Sequence, residues 1–326
     1  MSTIARPFIP WVGGKEKLAP YVRRVFPPSF NPYIEPFGGS GAILLGLPPS
    51  PSRLDIYNDF DGDLTNLFLC ARDHTLELIR ELDFLPLHSR AEFEDLKRFL
   101  RREPVPEPEI LRELEIAQEC FSPQEAAELE EILQGRARMR DVRRAAAYYK
   151  TCRGSFSGTR NSFGVRSNNL RRFFYLLQEA SRRLEDVVIE NKDGAQLIRE
   201  RDSPTTLFYC DPPYYEAERS YRMVFSRRAH VRLYHALRKC KGFVVASYND
   251  CPYIRNLYKD FFILSFRRPN SLSQKKDSEY GELLITNYDP RPFLAGQITL
   301  FDLPGGDGEM KLVRIPRKPL KQINHM

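Results

Sequence analysis

"YIEPFGGSGAILLGL", Tyr33 to Leu47, joins a short apolar run to a glycine-rich turn and then to a helix-like stretch. Tyr33 and Ile34 suit a strand. Gly38, Gly39 and Gly41 suit a turn where the backbone must bend sharply or approach a ligand closely. "AILLGL" is predicted to start a helix that Pro48 and Pro49 cut short. "RLDIYND", Arg53 to Asp59, reads as a second strand ending in an acid, and a helix follows from about Asp63 to Arg72. Strand, turn, helix, strand, helix is the rhythm of an α/β fold with a doubly wound, mostly parallel sheet.

The rhythm changes further along. From about Thr75 to Lys150 the chain is charged and helix-like. "EPVPEPE", Glu103 to Glu109, is a stiff loop, and Ser122-Pro123-Gln124-Glu125 has the spacing of a capping box. "TCRGSFSGTRNSFGVRSNN", Thr151 to Asn169, is rich in Gly, Ser, Asn and Arg and has no core-forming period. The α/β pattern returns at "VVIEN", Val187 to Asn191, and continues through "TTLFYC" and "GFVVASYND". "FFILSFRR" and "GELLITNY" then suit a terminal hairpin. The expected domains are therefore a discontinuous α/β domain over 1–72 and 171–289, an inserted helical and loop-rich domain over 73–170, and a flexible basic tail over 290–326.

The 326 residues carry a formal charge of +7, which favours a polyanionic partner. Six cysteines without a C-x-x-C pair, in a chain long enough to build a core, read as reduced thiols of a cytoplasmic protein. Five scattered histidines suggest no metal site, and no signal peptide or membrane-spanning run is visible. A monomer is expected.

The glycine turn is not a phosphate-binding P-loop, because G-x-x-x-x-G-K-[ST] is absent. Nor is it a full dinucleotide fingerprint, since Leu44 stands where the third glycine belongs. Asp59, 18 residues after Gly41, stands near the place where an acid would hold ribose hydroxyls. "WVGGK", Trp11 to Lys15, sets the only tryptophan beside two glycines and a lysine.

"LFYCDPPYY", Leu207 to Tyr215, ends an apolar strand in an acid and two prolines. The prolines remove two backbone donors and stiffen the turn, leaving an array of acceptors beside an aromatic ring. Such a D-P-P-Y turn resembles the signature of amino-group methyltransferases that use S-adenosylmethionine. The exocyclic amine of adenine is a poor nucleophile because its lone pair is delocalised into the ring. Asp211 and the Pro212 carbonyl would accept its two hydrogens and draw the lone pair out of conjugation. Pro213 would stiffen the turn, and Tyr214 would stack on the base. Acceptors aimed in advance are electrostatic preorganisation.

"WVGGK", "EPFGGSGA", "NDFDGDL" and "YCDPPY", in that order, resemble the Dam-type, D12 class DNA adenine-N6 methyltransferases, over about residues 1–72 and 144–288. That resemblance implies a class I S-adenosylmethionine-dependent methyltransferase fold with an inserted target-recognition domain, and action on double-stranded DNA. Trp11 and Lys15 would line the cofactor pocket. Phe37, Gly38, Gly39, Ser40 and Gly41 would pass under its methionine part. Asp59 would take the ribose hydroxyls, Asp193 in "NKDGA" would accept from its adenine, and Asp211 would border it. The target adenine would be flipped out of the duplex.

The DNA-contact candidates fall in two groups. Arg136, Arg138, Arg143 and Arg144, in "RARMRDVRRAAAYYK", are placed to meet phosphates. Arg153, Ser155, Phe156, Arg160, Asn161, Phe163 and Arg166 lie in the loop expected to read bases, with Phe156 or Phe163 filling the gap of the flipped base. This loop departs from the "RYGYNGL"-type hairpin of members that read GATC, so the site need not be GATC. Gln297-Ile298-Thr299-Leu300-Phe301 in the tail resembles the peptide that partners of bacterial sliding clamps use. Rival readings are the same chemistry on cytosine N4 or RNA adenine, a non-catalytic DNA-binding protein with this fold, and a nicotinamide-dependent enzyme. Asp at the head of the turn favours adenine, and the missing third glycine disfavours the last.

Overall fold

The computed structural model describes residues 4–11, 15–16, 18–84, 89–101, 115–116, 118–127, 141–155, 160, 162–164, 169–215, 225–269, 279–294, 310–316 and 320–321. In chain order the elements are α1 (Ala19–Arg24), β1 (Tyr33–Glu35), α2 (Ala42–Gly46), β2 (Asp55–Asn58), α3 (Gly62–Asp73), α4 (Thr75–Phe84) and α5 (Arg90–Leu100). Next come α6 (Val142–Gly154), α7 (Phe174–Leu184), β3 (Val187–Glu190), α8 (Gly194–Arg201), β4 (Leu207–Cys210), α9 (Arg227–Lys239) and β5 (Phe243–Asn249). The last are α10 (Pro252–Leu257), β6 (Phe262–Pro269), β7 (Glu279–Thr286), α11 (Arg291–Leu294) and β8 (Lys311–Arg314). No described helix is long and apolar enough to cross a membrane.

The chain forms two compact units, one over residues 1–7, 12–60 and 183–326, the other over 8–11 and 61–182. The first holds an eight-stranded sheet in the order β3-β2-β1-β4-β5-β7-β6-β8. β3, β2, β1, β4 and β5 pair in parallel, and β7 enters antiparallel between β5 and β6. All residues of β1, β2 and β4 are buried, as strands covered on both faces must be. The α/β reading and the terminal hairpin both hold. Strand order reverses between β1 and β4, and the crevice outside the carboxyl ends at such a switch point is where ligands of open α/β sheets bind. Glu35, Asn58 and Cys210 end the three central strands there.

Two boundaries differ from expectation. The units divide at 61 and 183, not at 73 and 171. The reason lies in α3, which buries Leu64 through Ala71 without a break, too many faces for a simple surface helix. Within the second unit its Asn66 Nδ2 donates to Asp141 O at 3.0 Å, and Arg144 of α6 grips Asp63. The tail is also not wholly free. Lys311–Arg314 pairs with β6, and Lys321 donates to Pro204 O at 2.9 Å and to Lys241 O at 2.6 Å. The Gln297–Phe301 stretch lies outside the described residues. The capping box is present: Glu125 N donates to Ser122 Oγ at 3.4 Å and Ser122 N to Glu125 Oε2 at 3.1 Å.

Candidate active site

The glycine turn is built around Tyr57 and Asp59 of the neighbouring strand end. A Cβ at Gly38 would stand 2.2 Å from the Tyr57 ring, so only glycine fits. Gly39 and Gly41 have φ of 50° and 65°, the left-handed region glycine tolerates. Tyr57 Oη donates to Gly39 O at 2.7 Å, and Gly39 N donates to Asp59 Oδ2 at 2.9 Å. Asp59 thus holds the turn as well as standing at the end of β2.

Asn58 carried no role in the sequence reading, yet it ties three strand ends together. It is fully buried, its Nδ2 donates to Pro36 O at 2.8 Å and Lys192 O at 3.0 Å, and its Oδ1 accepts from Lys192 N at 2.8 Å. The next residue, Asp193, caps α8 through Gln196 N at 3.0 Å and pairs with Arg232 at 2.6 Å. Gly194 lies against Phe37, whose ring would be 2.6 Å from a Cβ there. Phe37, Asp59 and Asp193 therefore border one region at the carboxyl edge, with Phe225 meeting Phe37 edge-on at 5.7 Å. Ser40 is buried within the turn.

The D-P-P-Y turn leaves β4 beside β5. Ser247 Oγ donates to Asp211 Oδ1 at 2.7 Å, and Tyr209 Oη lies 3.1 Å from Ser247 Oγ. Lys15 Nζ is 3.1 Å from Asp211 Oδ1, donates to Tyr214 Oη, and lies 4.2 Å from the centre of the Tyr214 ring. Tyr214 Oη donates to Glu282 Oε2 at 2.6 Å. Burial pushes Asp211 above the usual carboxylate range, against the pull of Lys15 and Ser247. Glu35, 1 % exposed and bonded to Tyr33 Oη at 2.7 Å, is pushed up to about 8, chiefly by burial. Burial likewise raises the Cys210 thiol and leaves it an inert core group.

Lys15 sits on the D-P-P-Y turn itself. Trp11 belongs to the second unit, with the Arg160 guanidinium 5.7 Å from its ring. Tyr214 is only 5 % exposed, with Lys15 over its ring and Tyr248 stacked 6.2 Å away, so a base can stack on it only after Lys15 withdraws.

In the second unit, three of the arginines expected to meet DNA are turned inward. Arg144 holds Asp63 and donates to Leu100 O at 2.6 Å. Arg153 donates to Phe8 O at 2.6 Å and lies 3.7 Å from the Phe173 ring. Arg160, at φ 58°, pairs with Asp61 at 3.2 Å and lies 4.2 Å from the Tyr148 ring. Arg144, expected at phosphates, and Arg160, expected in the base-reading loop, are both buried on internal carboxylates, while Arg153 of that loop is half-buried against Phe8 O and the Phe173 ring. Arg143 is exposed. Ser155 bonds Cys152 O at 3.0 Å and pairs with Phe163 in an antiparallel bridge, which closes the base of the loop. Phe163 meets Phe93 at 5.8 Å and Arg90 at 5.5 Å, which anchors it. Arg136, Arg138, Phe156, Asn161 and Arg166 lie outside the described residues.

Comparison with known proteins bears on this geometry. The family profile described as "D12 class N6 adenine-specific DNA methyltransferase" matches residues 11–270. The type II methyltransferase M1.LlaDCHI of Lactococcus lactis subsp. cremoris is 25 % identical over 306 residues, 87 % of this chain and 95 % of that protein. The DNA adenine methylase of Haemophilus influenzae is 43 % identical over 63 residues, 19 % of this chain and 21 % of that protein.

Proposed function

The chain belongs to the D12 class N6 adenine-specific DNA methyltransferases, and from that premise we propose that Asp211–Tyr214 is its catalytic turn and S-adenosylmethionine its methyl donor. The observation that carries the reading is the placement of Asp211. It leaves β4 at the switch point, beside the glycine turn, with its carboxylate already held by Ser247 and Lys15.

The residues at the carboxyl edge fit the donor. The space kept open at Gly38, the left-handed Gly39 and Gly41, and the acids Asp59 and Asp193 form a cradle suited to a nucleoside with a short polar chain. When bound, S-adenosylmethionine supplies an activated methyl group. The protein's part is orientation and charge. Asp211 and the Pro212 carbonyl accept the two N6 hydrogens of adenine, with Pro213 keeping them aimed. Lys15 holds Asp211 until the amine arrives, then gives up the carboxylate and the Tyr214 face. Ser247 keeps the carboxylate in place throughout.

The target base sits inside a duplex and is flipped out at a cost of a few kcal/mol. Arg143, with Arg136 and Arg138, meets phosphates, while Asn161, Arg166 and their neighbours read the site. With Phe163 anchored, Phe156 is the residue that fills the gap. Gln297–Phe301 serves as a clamp-binding peptide. We read the protein as a cytoplasmic monomer.

Expression in a host without adenine methylation, followed by single-molecule sequencing, tests the reading. Methylated adenines at a defined site are expected. Soluble protein that binds the donor in calorimetry but leaves the genome unmodified would contradict it.

A further inference from the structure

We propose that Glu282 is a positioning residue for methyl transfer and acts through the Tyr214 hydroxyl; this rests on the reading of Asp211–Tyr214 as the catalytic turn. Glu282 sits on β7, opposite Asn249 of β5 and Phe266 of β6, and is 1 % exposed. A carboxyl group so placed, directly before the buried Leu283, Leu284 and Ile285, is costly to bury unless it is bonded. Its Oε2 accepts from Tyr214 Oη at 2.6 Å.

The direction of that bond sets the rest. The Tyr214 hydrogen points to Glu282, and the lone pairs of the same oxygen turn to Lys15, which donates to it. Lys15 in turn meets Asp211 at 3.1 Å. Glu282, Tyr214, Lys15 and Asp211 form one chain of alternating acceptor and donor in which each member fixes the next.

Two consequences follow for the reaction. The phenol is pinned at its far end, so the ring that must face the base cannot swing. Lys15 also keeps an acceptor when the adenine amine takes Asp211, because Glu282 holds the Tyr214 lone pairs toward it. Without Glu282 the hydroxyl hydrogen is free to turn to Lys15 and repel it. Glu282 touches neither base nor donor in this scheme.

The test uses the full-length chain, a cognate duplex and single-turnover methylation, with donor affinity and melting temperature read in parallel. Glu282→Ala should lower the rate about 10-fold or more, the scale of a hydrogen bond to a charged group. Glu282→Gln, whose amide oxygen still accepts, should restore most of it. Tyr214→Phe should reproduce the loss, and Glu282→Ala added to Tyr214→Phe should change nothing further; Glu282→Leu, which keeps the volume but cannot accept, takes the place of Glu282→Ala in both comparisons if that variant does not fold. Losses that multiply in the double variant would overturn the proposal, as would a Glu282→Gln variant whose rate, donor affinity and melting temperature all fall together. Asp211→Ala is run alongside: full activity there would remove the catalytic turn itself, an outcome distinct from independent Glu282 and Tyr214 effects.

Discussion

Lys15 and Asp211 meet at 3.1 Å, and the same ammonium lies 4.2 Å from the centre of the Tyr214 ring. One cation thus occupies both the acceptor and the aromatic face that an adenine would need. It also counters the burial that pushes Asp211 above the ordinary carboxylate range. Removing it leaves burial less opposed, so the Asp211 pKa rises further and the ionised, accepting form is lost at a higher pH. Lys15→Met should therefore move the acid limb of the single-turnover pH–rate profile upward. A limb that stays in place, or moves down, would separate Lys15 from the state of Asp211.

Glu35 gives a stability prediction with a definite sign. Its folded pKa of about 8 stands above its ordinary 4.5 because burial penalises the charged form. Between those values the folded state holds a proton that the unfolded state has released. Stability then falls as pH rises through that window, by on the order of a few kcal/mol once Glu35 is forced to ionise. Glu35→Gln should flatten the dependence and melt higher than wild type above about pH 8. Parallel melting curves from pH 5 to about 9 check this, and an unchanged slope would mean that Glu35 is not the group responsible.

Arg143 and Arg144 are neighbours with opposite expected behaviour. Arg143 is exposed, whereas Arg144 is buried on Asp63 and Leu100 O. Arg143→Glu should weaken binding to all duplexes alike and flatten the salt dependence, whose slope falls by about 0.9 for each phosphate no longer neutralised. Arg144→Glu should instead lower the melting temperature, since it puts a carboxylate in the buried place of Arg144 and sets a like charge on the half-buried Asp63; breaking a buried pair costs up to about 3–5 kcal/mol. Salt-titrated binding and thermal melts on both variants distinguish these roles.

Much of this was legible in the residues. The glycine turn and the D-P-P-Y turn announce themselves because each needs unusual backbone geometry, and sequence records such needs directly. The parallel sheet followed from the alternation of strand-like and helix-like stretches. Asn58 and Glu282 left no such trace. Their roles depend on Pro36, Lys192 and Tyr214, brought near by pairing of strands distant in sequence. Arg144, Arg153 and Arg160 misled for a related reason. A guanidinium suits a phosphate or an internal carboxylate equally well, and only packing decides between them. The tail misled because β8 and Lys321 find their partners on β6 and beside Pro204, far back in the chain.

The tail carries its own test. Leu300 and Phe301 are adjacent and apolar and follow Gln297, and in the proposed docking they are the anchors while Gln297 bonds the pocket rim. A synthetic 296–304 peptide should bind a bacterial sliding clamp with micromolar affinity, about 8 kcal/mol. Leu300→Ala with Phe301→Ala should abolish this without moving the melting temperature of the full chain. A double variant that melts early, with no peptide binding, would make the segment structural.

The most direct test of the account is the turnover of Asp211→Ala on its cognate duplex, with folding and donor affinity measured on the same preparation. Loss of one preorganised group that acts in the transition state should lower turnover by about 10²–10³-fold in a protein that still melts cooperatively. Turnover within about tenfold of wild type, below that range, would contradict the assignment of Asp211 as the acceptor that prepares the adenine amine.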